Sequence, residues 1–202
     1  MLAIIDYDAG NIRSVEKACG AVGAQAFLTR DAEMILGADH IILPGVGSFG
    51  EAMDRLRSYE LVSVIREAVD RQIPFLGICL GMQLLFDTSQ ESPGARGLGI
   101  CPGRVIRIRE GAGVKIPHIG WNSLHFPREG RLFRGIEEED YVYFVHSFYL
   151  RAADPSIVTA QTCYGGTQMD TSVERGNLFA CQFHPEKSSR SGLQMLRNFL
   201  EV

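Results

Sequence analysis

Apolar and polar positions fall into blocks along the chain, and the first half reads as alternating strands and helices. Leu2-Ala3-Ile4-Ile5 is an unbroken apolar run. The stretch Asp6-Tyr7-Asp8-Ala9-Gly10-Asn11 that follows is rich in turn formers, so the pair reads as a buried strand and a loop. Val15, Ala18, Cys19 and Val22 then recur at helical spacing, with Ser14 placed to cap the helix. Gln25–Thr29 reads as a second strand, Asp31–Leu36 as a short helix and Ile41–Leu43 as a third strand. Leu61, Val62, Ile65, Ala68 and Val69 line one side of a helix expected over Tyr59–Arg71. Phe75–Ile78 follows Pro74 as another apolar strand, and Leu80–Phe86 has helix-compatible spacing. Strands and helices alternating at these lengths predict a parallel sheet covered on both faces.

The pattern changes after residue 97. Val105–Arg109, Val114–Ile119, Tyr141–Leu150 and Ser156–Thr162 are strand-like. Ser172–Glu174 and Leu178–Phe183 flank Arg175-Gly176-Asn177, which reads as a hairpin turn. A last helix is expected from near Ser188, burying Leu193, Leu196, Phe199 and Leu200. The expected fold is therefore α/β with three layers. A mostly parallel sheet is flanked by helices, and antiparallel strands are added in the C-terminal half. No repeat or low-complexity linker divides residues 1–202, which read as one domain.

Composition narrows the classes. The formal net charge of −4 supplies no electrostatic footprint for nucleic acid. No apolar run is long enough to span a membrane, and no basic segment precedes Leu2–Ile5, so no secretory signal is expected. The five cysteines are odd in number, widely spread and free of any C-x-x-C, which suits a reducing cytoplasm better than a disulfide framework or a zinc site.

One of them stands apart. In Gly77-Ile78-Cys79-Leu80-Gly81 a cysteine sits between a strand and a helix, with a glycine two places away on either side. That is the thiol form of the nucleophile elbow: a tight strained turn lifts the sulfur to the end of the strand. There a helix N-terminus favours the thiolate, the reactive form. A free cysteine is more often a small core residue, but this strand–Gly–Cys–Gly–helix setting favours chemistry. Upstream, Gly45-Val46-Gly47-Ser48-Phe49-Gly50 is formally a G-x-G-x-x-G. A dinucleotide site is disfavoured because the motif follows the third strand, Pro44 stiffens the loop and no acidic residue ends the next strand. The better reading is a loop whose backbone N–H groups at Val46 and Gly47, with that of Leu80, bind the oxyanion of a tetrahedral intermediate.

A thiolate in acyl transfer needs a base, and the base needs an orienting group. His40, His118, His125 and His146 read as structural. His184 lies just past a strand end in Gln182-Phe183-His184-Pro185-Glu186-Lys187-Ser188, with Glu186 two positions on and Pro185 stiffening the backbone between them. Cys79, His184 and Glu186 are the candidate triad.

These motifs resemble those of the class I (triad) glutamine amidotransferases. Five further stretches resemble, in particular, the glutaminase subunits of imidazole glycerol phosphate synthase: Asp6–Asn11, Pro44–Phe49, Pro117–Asn122, Tyr143–Ser147 and His184–Ser188. The likeness runs over essentially the whole chain. It implies hydrolysis of L-glutamine through a γ-glutamyl thioester on Cys79, with His184 protonating the departing ammonia and Glu186 orienting His184. It implies that Gln83 and Glu91 hold the α-carboxylate and α-amino ends of the substrate, with backbone from Ser147 and Phe148. It implies a (β/α)8-barrel cyclase partner that uses the ammonia, met by Trp121, Asn122, Tyr143 and Lys187. No cofactor or metal is implied. It further suggests an oxyanion loop misoriented at rest and turned by the partner. A glutaminase of another synthase and a self-sufficient γ-glutamyl thiol hydrolase are the competing readings.

Overall fold

The computed structural model describes residues 1–111 and 113–202. The strand–helix alternation of the first half is realised nearly as read. It comprises β1 (Leu2–Ile5), α1 (Ile12–Ala21), β2 (Ala26–Thr29), α2 (Ala32–Leu36), β3 (His40–Leu43), α3 (Phe49–Ser58), α4 (Leu61–Asp70), β4 (Phe75–Ile78) and α5 (Leu80–Leu84). The second half adds β5 (Thr88–Ser89), β6 (Gly103–Arg107), β7 (His118–Ser123), β8 (Tyr141–His146), β9 (Phe148–Ala152), β10 (Val158–Tyr164), β11 (Thr167–Arg175), β12 (Leu178–Cys181) and α6 (Ser189–Leu200).

Ten of these strands form one sheet in the order β2-β1-β3-β4-β12-β11-β9-β6-β5, with β10 laid against β11; β7 and β8 make a separate antiparallel pair. From β2 to β12 every pairing is parallel, whereas β12–β11, β11–β9 and β9–β6 are antiparallel. The parallel block is buried on both faces, as all-apolar strands require. Ala3, Ile5, Ile41 and Leu43 face α2, α3, α4 and α5. Leu2, Ile4, Ile42 and Leu76 face α1, α6 and the β7–β8 pair.

Several boundaries differ from the sequence reading. Asn11 with a left-handed φ of 66°, not Ser14, precedes the first turn of α1; Ser14 lies inside the helix and donates to the Asn11 side chain. Helix α3 was hidden by its glycine-rich entry, although Phe49, Ala52, Met53 and Leu56 carry the helical period. Helix α5 stops at Leu84 rather than Phe86. Val114 to Pro117 is not strand; β7 begins at His118 and runs on to Ser123. Tyr141–Leu150 is not one strand. It breaks at Ser147, where the chain leaves the small sheet and enters the large one. The Ser147 carbonyl there accepts the N–H of Ile108, just past β6 in the large sheet, instead of pairing with β7.

The two elbow glycines are required by close backbone approach. A β-carbon on Gly77 would sit 2.9 Å from the Gly81 carbonyl oxygen, and one on Gly81 would sit 1.9 Å from the carbonyl oxygen of Leu43 on β3. The second contact is with a neighbouring strand, so the elbow is wedged against β3 as well as turned on itself. Gly81→Ala is therefore expected to destabilise the chain by about 2–3 kcal/mol. Urea unfolding measures it; a change within error of zero would show that β3 and the elbow separate easily.

Candidate active site

The strand end fixes the sulfur. Cys79 follows β4 with φ 55° and ψ −110°, a conformation that costs of order 1–3 kcal/mol in a non-glycine residue and is kept only where the surroundings impose it. Its N–H donates to the Cys181 carbonyl at 2.8 Å, and its carbonyl accepts from Met82 at 3.1 Å. The expected help from a helix dipole is small, because α5 has only five residues and few peptide units to align. Support for a charged sulfur comes from side chains instead.

His184 supplies the first. It leaves β12, which is hydrogen-bonded beside β4 in parallel register, so the two residues emerge at one edge of the sheet. The His184 N–H donates to the Tyr143 carbonyl at 3.0 Å, which seats the turn. Its Nδ1 donates to Glu186 Oε1 at 2.8 Å, and Asn11 Nδ2 donates to the same oxygen at 3.3 Å. Both members of the pair are almost wholly buried, at 2% and 1% side-chain exposure. Nε2 has no hydrogen-bond partner among the described residues, and His184 and Cys79 line the same cavity. Burial pulls the imidazole down, but the neighbouring Cys79 sulfur and the Glu186 carboxylate outweigh it and raise His184 to about 10. The proton it would give to a leaving amine is thus already in place at neutral pH.

The cavity, about 270 Å³, is walled by Val46, Gly47, Leu80, Gln83, Glu91, Ser147 and Phe148 along with Cys79 and His184, so the expected nucleophile, base, oxyanion and substrate residues converge on one space, with Glu186 outside it and bonded to His184. One of them, Gln83, is used differently from the expectation, and a second, Glu91, has a structural contact as well. Gln83 Nε2 donates to the Phe148 carbonyl at 3.1 Å and to Gln182 Oε1 at 2.9 Å, so both of its N–H groups are engaged. What it can offer a ligand is an acceptor, which does not suit a carboxylate. Glu91 Oε2 accepts the Phe49 N–H at 2.8 Å and ties the start of α3 to the site, leaving its other oxygen for an ammonium. Gly45 is confined, since a β-carbon there would meet Tyr7 Oη at 2.6 Å and the Gly81 nitrogen at 2.9 Å. Gly47 has φ +99° with open space around it.

The four expected interface residues divide. On the outer face of the β7–β8 pair, Trp121 lies opposite Tyr143 and Ile119 opposite Val145. Trp121 is 48% exposed and Ile119 59%. Lys187 Nζ sits 5.8 Å from the Tyr143 ring centre. Asn122, one residue along the strand from Trp121, points to the other face, where it donates to the Cys163 carbonyl at 3.0 Å. Sequence reasoning gave no role in the site to three residues, one of which, His146, it read as structural. Tyr7 donates to the Pro44 carbonyl at 2.8 Å and anchors the glycine loop. His146 lines the cavity, and Gln182 donates to the Cys79 sulfur at 3.6 Å. The only sequence sign for Gln182 was a polar residue between Cys181 and Phe183 at a buried strand end.

Residues 3–202 match the family described as glutamine amidotransferase class-I. The chain belongs to this family. Among similar amidotransferases, the imidazole glycerol phosphate synthase subunit HisH of Moorella thermoacetica is 50% identical over 201 residues, covering 100% of this chain and 94% of that protein. The proteins of the same name from Thermosynechococcus vestitus and Aquifex aeolicus are 48% and 50% identical, covering 100% and 97% of this chain and 96% and 94% of theirs. A crystal structure of a glutamine amidotransferase superposes with a TM-score of 0.76 at 21% identity, covering 98% of this chain and 97% of that one. The PurLQS structure from Thermotoga maritima superposes at 0.77 and 20%, covering 99% and 97%. These two show the amidotransferase fold of the sheet and its helices.

The raised His184 pKa makes a signed prediction. An ordinary imidazole, near 6.5, is almost neutral at about pH 8, whereas His184 should still be doubly protonated there. In Cys79→Ser the strongest raising influence is removed, so the titration should move toward lower pH. Histidine-selective 15N NMR reads both; a neutral His184 at about pH 8 in the unaltered chain would contradict the raised value.

Proposed function

We infer that this chain is the glutaminase subunit of an imidazole glycerol phosphate synthase. Full-length identity near one half to relatives of that name carries the reading. The chain hydrolyses L-glutamine to glutamate and hands the ammonia to a cyclase subunit, which makes imidazole glycerol phosphate and aminoimidazole carboxamide ribonucleotide. Residues 1–202 act as one glutaminase domain in the cytoplasm, a compartment in which the five free thiols are stable.

The triad works as follows. The Cys79 thiolate attacks the side-chain amide carbon of glutamine, and the oxygen of the tetrahedral intermediate is received by the N–H groups of Leu80 and of the Val46–Gly47 loop. Imidazolium His184 gives its Nε2 proton to the nitrogen, ammonia leaves and a γ-glutamyl thioester remains. Neutral His184 then takes a proton from water, the hydroxide attacks the thioester, and glutamate departs as the thiolate reforms. Glu186 keeps the Nδ1 proton in place throughout, which leaves Nε2 as the working nitrogen. Glu91 receives the substrate ammonium, and Gln83 offers its carbonyl oxygen.

The partner is a (β/α)8 barrel that docks on Ile119, Trp121, Tyr143 and Lys187. Support comes from the chemistry of the patch: exposed aromatic and aliphatic side chains with a cation at the rim suit an interface. Val145, paired with Ile119, also borders the cavity, so ammonia has a short way to a partner on that face. Docking there turns the Gly45–Gly47 backbone into its catalytic orientation.

Two measurements test this. Ammonia release from glutamine by the assembled synthase should fall about a thousandfold or more in Cys79→Ala. Synthesis from added ammonium by the same complex should survive; loss of both would remove the division of labour. The gate is tested by Gly47→Ala, whose β-carbon would meet no atom within 4 Å. It penalises the φ of +99° by about 1–2 kcal/mol, so turnover without partner should rise roughly tenfold. An unchanged ratio between stimulated and unstimulated turnover would remove the gate.

A further inference from the structure

Gln182 is fully buried, yet its side chain meets no apolar purpose. It follows β12, with its N–H donating to the Thr171 carbonyl at 2.8 Å, and its side chain lies between Gln83 and the catalytic sulfur. We propose that Gln182 is a further catalytic residue, whose side-chain N–H donates to the Cys79 sulfur and stabilises its anion, with Gln83 and the Phe148 carbonyl fixing the direction of that donation.

The direction follows from the acceptor at the far end. A backbone carbonyl can only accept, so the Gln83 group 3.1 Å from the Phe148 oxygen is its NH2. The same nitrogen lies 2.9 Å from the Gln182 side chain, which must therefore present its oxygen to Gln83. The Gln182 NH2 is then left facing the sulfur, at 3.6 Å. A second arm pins the carbonyl itself. His146 Nδ1 is 2.9 Å from the Phe148 oxygen and must carry a proton, which makes its Nε2 the acceptor for His118 Nδ1 at 3.1 Å. Burial holds His146 down to about 3 and His118 to about 4, so both stay neutral and this polarity does not switch near pH 7. Buried polar chains of this kind are costly unless every member is satisfied, and here each named donor has an acceptor. Apolar residues would fill the same space at less risk to stability, so the network points to a use at its end.

That use is electrostatic. The sulfur carries negative charge before attack and again when the thioester breaks and the thiolate leaves. A fixed N–H aimed at the sulfur in a water-poor site favours the anion at both moments. The proposal rests on Cys79 being the nucleophile. Its principal test needs neither glutamine nor the partner, so it can fail while the proposed pathway role stands.

Two variants separate the contacts. Gln182→Met keeps the length and removes the donor. Gln182→Glu keeps an oxygen for Gln83 and sets a carboxylate against the sulfur. In the isolated chain, the pH of half-maximal Cys79 alkylation by iodoacetamide should rise by about one unit in Gln182→Met and further in Gln182→Glu. In the assembled synthase, kcat/KM for glutamine at neutral pH should fall about tenfold in Gln182→Met, a deficit that shrinks as pH rises, with ammonia-dependent synthesis unchanged. A purely structural role would give no recovery with pH. Should either variant fold poorly, 15N NMR of the unaltered chain still decides: the Gln182 side-chain amide should shift when Cys79 is alkylated. Alkylation profiles that coincide with the parent, or an amide indifferent to Cys79 alkylation, would overturn the proposal.

Discussion

Two short parallel strands, Phe75–Ile78 and Leu178–Cys181, lie hydrogen-bonded side by side, and the site depends on that pairing. Ile78 stands opposite Cys181, and the Cys79 N–H closes the ladder on the Cys181 carbonyl. Parallel register makes both strands run out at the same edge, which is where ligands gather in open α/β sheets. One exit carries the sulfur, and the other carries Gln182, His184 and Glu186. The third neighbour, Ile41–Leu43, exits there too and carries the glycine loop. A chain that separates the nucleophile from its base by half its length can bring them together because adjacent parallel strands require long connections.

Close approach of backbone at glycines helps to hold the edge. Gly81 presses on the Leu43 carbonyl, Gly45 on Tyr7 and on the Gly81 nitrogen. Such contacts leave no room for a β-carbon and explain how a cysteine at φ 55° is retained. Within this frame the polar groups are arranged so that negative charge is tolerated at one atom. Gln182 aims a donor at the sulfur, His184 shares the cavity with it, and Glu186 is tied to His184 and Asn11.

The other wall of the site arises from a change of sheet. Tyr141–His146 pairs with His118–Ser123 in the small sheet, and Phe148–Ala152 pairs in the large one. Ser147, the joint, and Phe148, the first residue of the second strand, therefore line the cavity together with Cys79. The same small sheet carries Trp121 and Tyr143 outward, and Val145 on that face also borders the cavity, so the exposed aromatic patch and part of the cavity wall belong to one pair of strands.

The elbow, the parallel half of the sheet and the pairing of His184 with Glu186 were legible in the sequence because each is local. Apolar runs of four residues, glycines on either side of Cys79, and His184-Pro185-Glu186 carry their meaning within a few positions. Helix α3 carried its period too but was masked by the glycines at its entry. The break at Ser147, the inward turn of Asn122, the engagement of both Gln83 N–H groups and the contact of Gln182 with the sulfur could not be read in the same way. A polar residue at a strand end looks alike whether it meets water or a thiolate, and hydrogen-bond direction depends on which acceptor lies across the fold. The sequence by itself determined that a strained cysteine, a histidine and a carboxylate were available. Only the tertiary structure decided what surrounds them, because strand order and register, set by burial of both sheet faces, choose the neighbours.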